Sequence, residues 1–253
     1  MGVFHTRFSC RIGASLWTGL QRRQSSARRG AQVSAASWSA LGLTSYVVLM
    51  GGFVKVAGDI VSQRDSGLLK RIRLRGRSDG SVLFGYALSG FVVALICQTV
   101  LLLSAVLFLG LKAPANIPGV ILVTILGAVL CTVIGVAYSA LIPSADSSQM
   151  MLLVPTLILM FLSGVFTPSW IIPSSLRTLS AFFPVGYLAE SMRSMWLGQD
   201  FVHATVRNGG LILGSHTGLA MLVSPGLAVC AVWLVASVVI SRKFFKWDVR
   251  SGR

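Results

Sequence analysis

Four long stretches of the sequence contain no charged side chain. They run from Gly80 to Leu111, from Ala113 to Ala145, from Ser147 to Leu176 and from Asn208 to Ser241. Each exceeds the roughly 20 apolar residues that cross a bilayer as an α-helix. A soluble chain of 253 residues has no core wide enough to cover four such helices. The pattern therefore predicts a helical protein that crosses a membrane several times.

The charged residues are few and are concentrated at the chain ends and in one internal segment. They make up 11% of the sequence, against roughly 25% in an average globular protein. A net charge of +15 is typical of nucleic-acid binders, yet no basic segment here is interleaved with aromatic residues that stack on bases. We therefore expect the basic residues to orient the spans and to contact the lipid bilayer, with no nucleic-acid partner.

Hydrophobic runs and turn residues predict five spans and a re-entrant region. Residues 168–207 mix prolines, aromatic residues and sparse charges, which predicts two short amphipathic helices that lie on or dip into the outer membrane surface. Pro225 is expected to bend the last span. The predicted fold class is all-α, a polytopic transmembrane helical bundle with short re-entrant or interfacial helices on the outer side. The five spans cover about residues 38–61, 82–111, 118–142, 149–166 and 218–241.

The composition divides the chain into three parts. Residues 1–38 form a Ser- and Arg-rich arm with six arginines and no acidic residue. This arm is typical of a disordered segment, of a start in an unrelated reading frame, or of an organellar transit peptide, since transit peptides are rich in Arg and Ser. Residues 39–247 are predicted to form the transmembrane domain, and residues 248–253 a cytoplasmic tail.

The basic segments also predict the orientation of the spans. Residues 64–77 and 242–253 are placed in the cytoplasm, because positively charged segments are retained there. Four spans separate these segments, so one assignment satisfies both. The connection at Lys112 and residues 168–207 then face outward. A single span ahead of Arg64 would leave the basic arm outside, so we expect a preceding span to be missing from the chain.

Lys55 and Asp59 are the charged residues near the end of the first predicted span. Four residues separate them, which places both on one helix face as an ion pair. Charged residues within a membrane usually have a function. A lysine at the end of a span, however, extends its ammonium group to the lipid headgroups, and we expect that role for Lys55.

The third predicted span has a small residue at every fourth position. Such a ridge allows a neighbouring helix to approach closely. We therefore predict close helix packing along this face. The residues of the ridge are Gly127, Cys131, Gly135 and Ser139.

No motif for enzyme chemistry is present in the sequence. There is no phosphate-binding loop, no His-Glu-x-x-His, no Gly-x-Ser-x-Gly and no close pair of carboxylates. Asp146, Glu190 and Asp200 lie at or beyond the predicted span ends, which argues against a proton relay within the membrane. His203 and His216 have no partners at ligand spacing, so no metal site is predicted. We expect no catalytic residue and no cofactor, and we infer that energy for transport comes from another protein.

Five short motifs occur in a fixed order along the chain, and together they resemble the signatures of ABC-2 type transporter permeases. The resemblance covers about residues 40–250 and is nearest to the drug-exporter branch of that family. The motifs are RDSGLLKRIR at 64–73, LIPSAD at 141–146, LSGVFTP at 162–168, FFPVGY at 182–187 and FFKW at 244–247.

The resemblance implies a six-span permease of the plasma membrane that lacks its first span here. Such a permease pairs with a second copy, as a homodimer or heterodimer, and a separate ABC ATP-binding subunit hydrolyses the ATP. Its substrate would be a hydrophobic or amphipathic small molecule such as a drug or antibiotic. The resemblance assigns coupling to the ATPase to Arg64, Asp65, Gly67, Leu68, Leu69, Lys70, Arg71 and Ile72, and an outer gate or re-entrant motif to Ser163, Gly164, Phe166, Pro168, Phe183 and Pro184.

A second hypothesis, from a different class, is a membrane protein that transports nothing. It is either a truncated relic of such a permease or an organellar inner-membrane protein whose Arg-rich arm is a presequence. A neighbouring gene for an ATP-binding subunit would favour the exporter, and removal of the arm in the mature protein would favour the organellar protein.

Overall fold

The computed structural model describes five parts of the chain. Their contacts separate Met1–Trp38 from Ser39–Arg253 as two compact units. Only the last residues of the first unit are described, and they are helical. The architecture that follows is that of the second unit. The described residues are 35–68, 79–164, 178–207, 210–222 and 225–244.

The first helical segment contains a π-helix in its middle. It consists of α1 (Ala35–Val48), the π-helix (Leu49–Val54) and α2 (Lys55–Asp65) in direct succession. Gly51 and Gly52 lie in the π-helix, and each faces a different neighbouring helix at a very short distance. A Cβ at Gly51 would lie 2.9 Å from Ala94 Cα, and one at Gly52 would lie 2.8 Å from Cys131 Cβ. The glycine pair thus permits backbone contact on two sides of this helix.

Five further α-helices and one β-hairpin follow within the described residues. Strands β1 and β2 pair antiparallel, with Asp200 opposite Gly214 and an irregularity before Thr205. A short 3₁₀-helix, Gly218–Leu222, follows the hairpin. The helices are α3 (Asp79–Leu109), α4 (Ile117–Ser139), α5 (Ala145–Leu162), α6 (Pro184–Leu197) and α7 (Pro225–Phe244), and the strands are β1 (Asp200–Arg207) and β2 (Gly210–Gly214).

The prediction of an all-α transmembrane bundle is confirmed. Four helices in the described part of the chain are long and apolar enough to cross a membrane, and the shorter apolar helix Ala145–Phe161 coincides with the fourth predicted span. The four long helices are Ser37–Asp65, Gly80–Leu109, Ile117–Ser139 and Gly226–Lys243.

Helix α4 lies at the centre of the bundle. It packs against the π-helix and against α2, α3, α6 and α7. In contrast, α3 and α7 each bury only 17% of the residues in an apolar stretch of 18 residues. These two helices therefore turn most of their apolar surface outward. Lipid or a second subunit must cover such surface in a membrane protein.

The predicted re-entrant region differs from the structure in one respect. Helix α6 is the amphipathic helix expected there, and the other predicted helix falls largely on residues 165–177, outside the described residues. From Asp200 onward, however, the chain is a strand, and the prediction of helix over 200–207 is wrong. The sequence carries the reason, because β1 contains Val202, Thr205 and Val206 and is followed by Asn-Gly, the dipeptide that favours a tight hairpin.

The structure describes the last helix from Pro225 onward. The predicted span over 218–241 starts as the 3₁₀-helix Gly218–Leu222, and α7 is described over Pro225–Phe244. Residues 223–224 lie outside the described residues, so the bend expected at Pro225 stays a prediction.

Candidate functional site

Arg64, near the end of α2, holds together the connection between α4 and α5. Its guanidinium group donates hydrogen bonds to the carbonyl oxygens of Ile142 at 2.5 Å, Pro143 at 3.2 Å and Ser139 at 3.4 Å. The last carbonyls of a helix have no partners within the helix, and they favour a cation. Arg64 meets this need at the end of α4, and its side chain is 2% exposed.

Asp65 makes the complementary contact with the next helix. Its carboxylate accepts a hydrogen bond from the backbone N–H of Ala145, the first residue of α5. A negative charge is favourable at that position, because the first N–H groups of a helix are unpaired. Arg64 and Asp65 together form the Arg–Asp clamp, which joins the end of α2 to both sides of the α4–α5 connection. The first two of the five sequence motifs are thus in direct contact.

The ridge on α4 faces protein. A Cβ at Gly135 would lie 2.8 Å from the carbonyl oxygen of Phe53, and one at Gly127 would lie 3.4 Å from the side chain of Leu188. Cys131 and Ser139 are 1% and 0% exposed. The structure therefore places this face of α4 against the π-helix and α6.

The predicted ion pair between Lys55 and Asp59 is confirmed, with Lys55 Nζ 2.5 Å from Asp59 Oδ2. Lys55 Nζ also lies 3.5 Å from Ser89 Oγ on α3. Because the helix continues to Asp65, the pair lies further from the helix end than the sequence predicted. The contact therefore joins α2 to α3 within the bundle.

An apolar cavity of about 220 Å³ lies between the π-helix and helices α4, α5, α6 and α7. A cavity of roughly 150 Å³ with an apolar lining holds benzene, so this one has room for a somewhat larger apolar group. The hydroxyl group of Tyr138 already donates a hydrogen bond to the carbonyl oxygen of Met151 at 2.9 Å. The cavity is lined by Leu49, Phe53, Cys131, Ile134, Tyr138, Pro155, Ile158, Leu159, Phe183, Pro184, Val185 and Trp233.

Aromatic side chains close the α6 end of this cavity. The rings of Phe183 and Trp233 are 6.0 Å apart between centroids, within the range of favourable aromatic contact. The indole N–H of Trp233 donates to the carbonyl oxygen of Phe182 at 3.0 Å. These contacts join the start of α6 to α7, so that movement of α6 changes the shape of the cavity.

Polar contacts hold helix α6 near its middle and at its end. Near its middle, Arg193 Nη2 donates to the carbonyl oxygen of Gly164, just after α5, at 2.9 Å. At its end, Trp196 Nε1 donates to the carbonyl oxygen of Lys112 at 3.0 Å, and the N–H of Ala115 donates to the carbonyl oxygen of Trp196 at 3.0 Å. The two regions that were predicted to face outward, around Lys112 and around α6, thus lie at the same end of the bundle.

The profile of the ABC-2 type transporter family matches residues 2–197, more than three quarters of the chain. The chain belongs to the ABC-2 type transporter family. No curated protein sequence matches this permease. Permeases of the family are transport subunits without catalytic activity of their own, and they generally dimerise and work with an ATP-binding subunit. The matched region begins at residue 2, well ahead of residue 40, where the motif resemblance begins. It ends at Leu197, the last residue of α6.

The structure describes only the first part of the permease segment that the resemblance assigns to ATPase coupling. Arg64 and Asp65 form the clamp, Gly67 has a left-handed backbone with φ of 70°, and Leu68 is 40% exposed. The coupling role itself stays a prediction. Leu69, Lys70, Arg71 and Ile72 lie outside the described residues.

Two of the four described residues assigned to the outer gate lie at the end of α5, and two line the cavity. Phe183 and Pro184 line it, and Ser163 accompanies Gly164 at the end of α5, where Gly164 has a φ of 65°. A Cβ at Gly186 would lie 3.5 Å from the carbonyl oxygen of Ser163, so α6 packs closely on this turn. Phe166 and Pro168 lie outside the described residues.

Glu190, which is half-buried, and Arg193, which is buried, interact electrostatically on α6 of the permease. Burial raises the pKa of Glu190 to about 7, and the nearby Arg193 partly opposes the rise. Burial lowers the pKa of Arg193 to about 10, and Glu190 partly opposes the fall. The arginine therefore keeps its charge at neutral pH, whereas Glu190 changes its charge near neutrality.

A cluster of three side chains that the sequence did not predict lies beyond α6. His203 Nδ1 is 3.0 Å from Asp200 Oδ1, and His216 Nδ1 is 2.9 Å from Asp200 Oδ2. Burial acts to raise the pKa of Asp200, but hydrogen bonds from the two histidines outweigh it, and the net pKa lies below the ordinary value. The expectation that both histidines lack partners is wrong, because the hairpin brings together residues that the sequence separates.

Proposed function

We propose that the protein is the membrane subunit of an ATP-driven exporter in the plasma membrane, and that it moves a hydrophobic or amphipathic small molecule such as a drug or antibiotic. The observation that supports this substrate class most is the apolar cavity inside the transmembrane domain of a chain from the ABC-2 type transporter family. Apolar and aromatic side chains line it, and no charged residue is among the lining residues that the structure describes. Such a lining binds apolar groups well and penalises ions and sugars, whose polar groups would lose their hydrogen bonds.

The proposed energy source is a separate ATP-binding subunit that docks on residues 64–72. Support comes from the position of the Arg–Asp clamp at the base of that segment. The clamp joins the segment to the adjacent ends of α4 and α5, and both of these helices line the cavity further along. A displacement of the docked segment would thus be transmitted through two packed helices to the cavity.

Photo-crosslinking tests where an apolar substrate binds. The permease in lipid nanodiscs is irradiated with an uncharged aromatic diazirine, with and without excess unlabelled competitor, and modified peptides are identified by mass spectrometry. We expect saturable labelling of α4, α5 and α7 at residues such as Ile134, Leu159 and Trp233, which line the cavity. Labelling of exposed α3 residues is expected to be non-saturable, because those residues lie on the outer surface of the bundle and not in a cavity.

Two tryptophan variants provide the matched comparison. Ile134→Trp fills the cavity, whereas Ile125→Trp places the same side chain on α4 at a position that is 43% exposed. The proposal requires that Ile134→Trp abolishes the saturable labelling and that Ile125→Trp retains it. Equal saturable labelling in both variants would show that substrate binds elsewhere.

A further inference from the structure

The Asp–His cluster consists of Asp200, His203 and His216 and lies in the β-hairpin region after α6. Asp200 is the first residue of β1, His203 follows in the same strand, and His216 follows β2. One ligand atom from each side chain lies within 4.8 Å of the other two. The imidazole rings are 4.1 Å apart between centroids, so two rings converge on a single carboxylate.

The backbone around Asp200 is built to hold this carboxylate in place. Its side chain is 0% exposed, and it accepts hydrogen bonds from the N–H groups of His203 at 3.0 Å and His216 at 3.2 Å. Gly214 pairs with Asp200 across the hairpin, and a Cβ at Gly214 would overlap the carboxylate. The lack of a side chain at this position leaves room for Asp200 at the centre of the cluster.

We propose that the Asp–His cluster is a binding site for a divalent zinc ion. Two imidazole nitrogens with one carboxylate oxygen are a ligand set that zinc favours, whereas magnesium and calcium prefer oxygen alone. Ligand atoms around a tetrahedral zinc ion are about 3.3 Å apart, since each bond is about 2.0–2.1 Å long. Nδ1 of His203 and Nδ1 of His216 lie 3.0 and 2.9 Å from the same oxygen, Asp200 Oδ2. These distances are slightly shorter, so a small outward shift of the rings admits the ion.

Water completes the proposed coordination sphere. The side chains of His203 and His216 are 21% and 48% exposed, so the site is open to solvent on the imidazole side. Zinc sites with three protein ligands take a solvent molecule as the fourth ligand. Each neutral imidazole would bind the ion through Nδ1 and carry its proton on Nε2, so the hydrogen bonds between Nδ1 and Asp200 are exchanged for metal bonds.

The zinc ion would fix the hairpin relative to α6. Strand β1 packs against α6, and the N–H of Phe201 donates to Ser194 Oγ at 2.9 Å. Phe201 is buried beside this contact, at 5% exposed. Bound zinc therefore joins the chain before the 3₁₀-helix to the strand that rests on α6, at the predicted outer end of the permease.

The first test is metal binding by the full-length protein in detergent, after removal of metal with a chelator and in a Cys10→Ser background. Titration of zinc against a competing indicator is expected to show one tight site per chain. His203→Ala and His216→Gln are each expected to weaken it by more than about 100-fold, since loss of even an outer-sphere partner costs 10–100-fold. His5→Gln, which changes the only histidine outside the cluster, is expected to leave zinc affinity unchanged.

The second test reports on the geometry and does not depend on transport. Cobalt in place of zinc is expected to give the visible spectrum of a four-coordinate nitrogen–oxygen site, without a thiolate charge-transfer band. Hydrogen exchange of the β1 and β2 amides is expected to slow on addition of zinc in the wild type and not in His216→Gln. His216→Gln changes a half-exposed side chain, so it leaves the fold intact for the comparison.

Two outcomes would overturn the proposal. One is zinc affinity that is unchanged in His203→Ala and His216→Gln, which would place the metal elsewhere. The other is the absence of a tight zinc site in a folded wild type whose hairpin amides are already protected, which would show that the cluster is a hydrogen-bonded support only.

Discussion

At the scale of single residues, buried charges determine how the ends of the helices are joined. Arg64 begins the basic segment that the sequence predicts to lie in the cytoplasm, yet its guanidinium group is enclosed among carbonyl oxygens. Hydrogen bonds from a charged donor to buried acceptors are worth more than neutral ones. Its loss leaves several buried carbonyls without a donor.

Arg64→Leu is therefore expected to lower the free energy of unfolding by about 2–4 kcal/mol. The measurement is thermal or denaturant unfolding of the purified permease in a mild detergent. Arg242→Leu, at an exposed position in the last turn of α7, is the control and is expected to cost less than about 0.5 kcal/mol. Equal costs for the two substitutions would show that the Arg–Asp clamp does not stabilise the bundle.

Glu190 is expected to make stability depend on pH. Its pKa rises from the ordinary 4.5 to about 7 on folding, so the folded protein binds a proton more tightly than the unfolded chain does. Stability contributed by this group is therefore greatest below pH 4.5 and falls as the pH rises toward 7. The comparison of wild type with Glu190→Gln isolates this contribution from that of other acids.

Glu190→Gln is expected to be more stable than the wild type at pH 7.5, by at most about 3 kcal/mol, with the difference vanishing near pH 4.5. Unfolding temperatures measured across that range provide the check. A difference between the two proteins that stays constant with pH would show that Glu190 ionises normally in the folded state.

At the scale of elements, the central contact is between α4 and the π-helix. Hydropathy predicted α4 and the span that contains the π-helix, because a long apolar run indicates a membrane helix without any tertiary information. The π-helix itself was not predictable, since packing against α3 and α4 determines the shift in hydrogen bonding around Gly51 and Gly52. The β-hairpin was missed although its Asn-Gly signal is present, because prolines and aromatic residues nearby favoured interfacial helices.

Gly135→Ala is expected to destabilise the protein by about 1–3 kcal/mol through overpacking, since the new Cβ would lie 2.8 Å from a backbone oxygen of Phe53. Gly85→Ala on α3 is the matched control, because nothing lies within 4 Å of its Cβ position. There the change is expected to be neutral or stabilising, as alanine favours a helix. Unfolding measurements on both variants decide the point, and a Gly135→Ala protein as stable as Gly85→Ala would contradict close packing at the ridge.

At the scale of the whole molecule, the Arg–Asp clamp and the β-hairpin lie at different ends of the bundle. The Arg–Asp clamp lies at one end, and α6 with the hairpin lies at the other. Helices α4 and α5 extend from the clamp to the apolar cavity. The sequence motifs marked residues 64–73 and 141–146 as family signatures. They did not show that Arg64 reaches Ile142, because 78 residues separate the pair and only the fold brings them together.

Leu69→Asp is expected to abolish association with the ATP-binding subunit and to leave membrane insertion intact. Leucines in a strongly basic loop have no role in anchoring, and a buried carboxylate at a docking surface costs several kcal/mol. Co-purification of the two subunits from co-expressing cells is the measurement. Leu219→Asp, an exposed leucine in the 3₁₀-helix after the hairpin, is the control and should retain the partner. Undiminished co-purification with Leu69→Asp would remove this segment from the coupling role.

The most direct test of the whole account is ATP-dependent transport of an uncharged aromatic dye by the permease and its ATP-binding subunit in proteoliposomes. Dye movement is predicted to require ATP, to saturate with dye concentration, and to be lost in Ile134→Trp while Ile125→Trp transports normally. Both variants are predicted to retain the ATP-binding subunit, since neither lies near the Arg–Asp clamp. A correctly inserted wild-type complex that hydrolyses ATP without moving the dye, or an Ile134→Trp complex that moves it at the wild-type rate, would contradict the account.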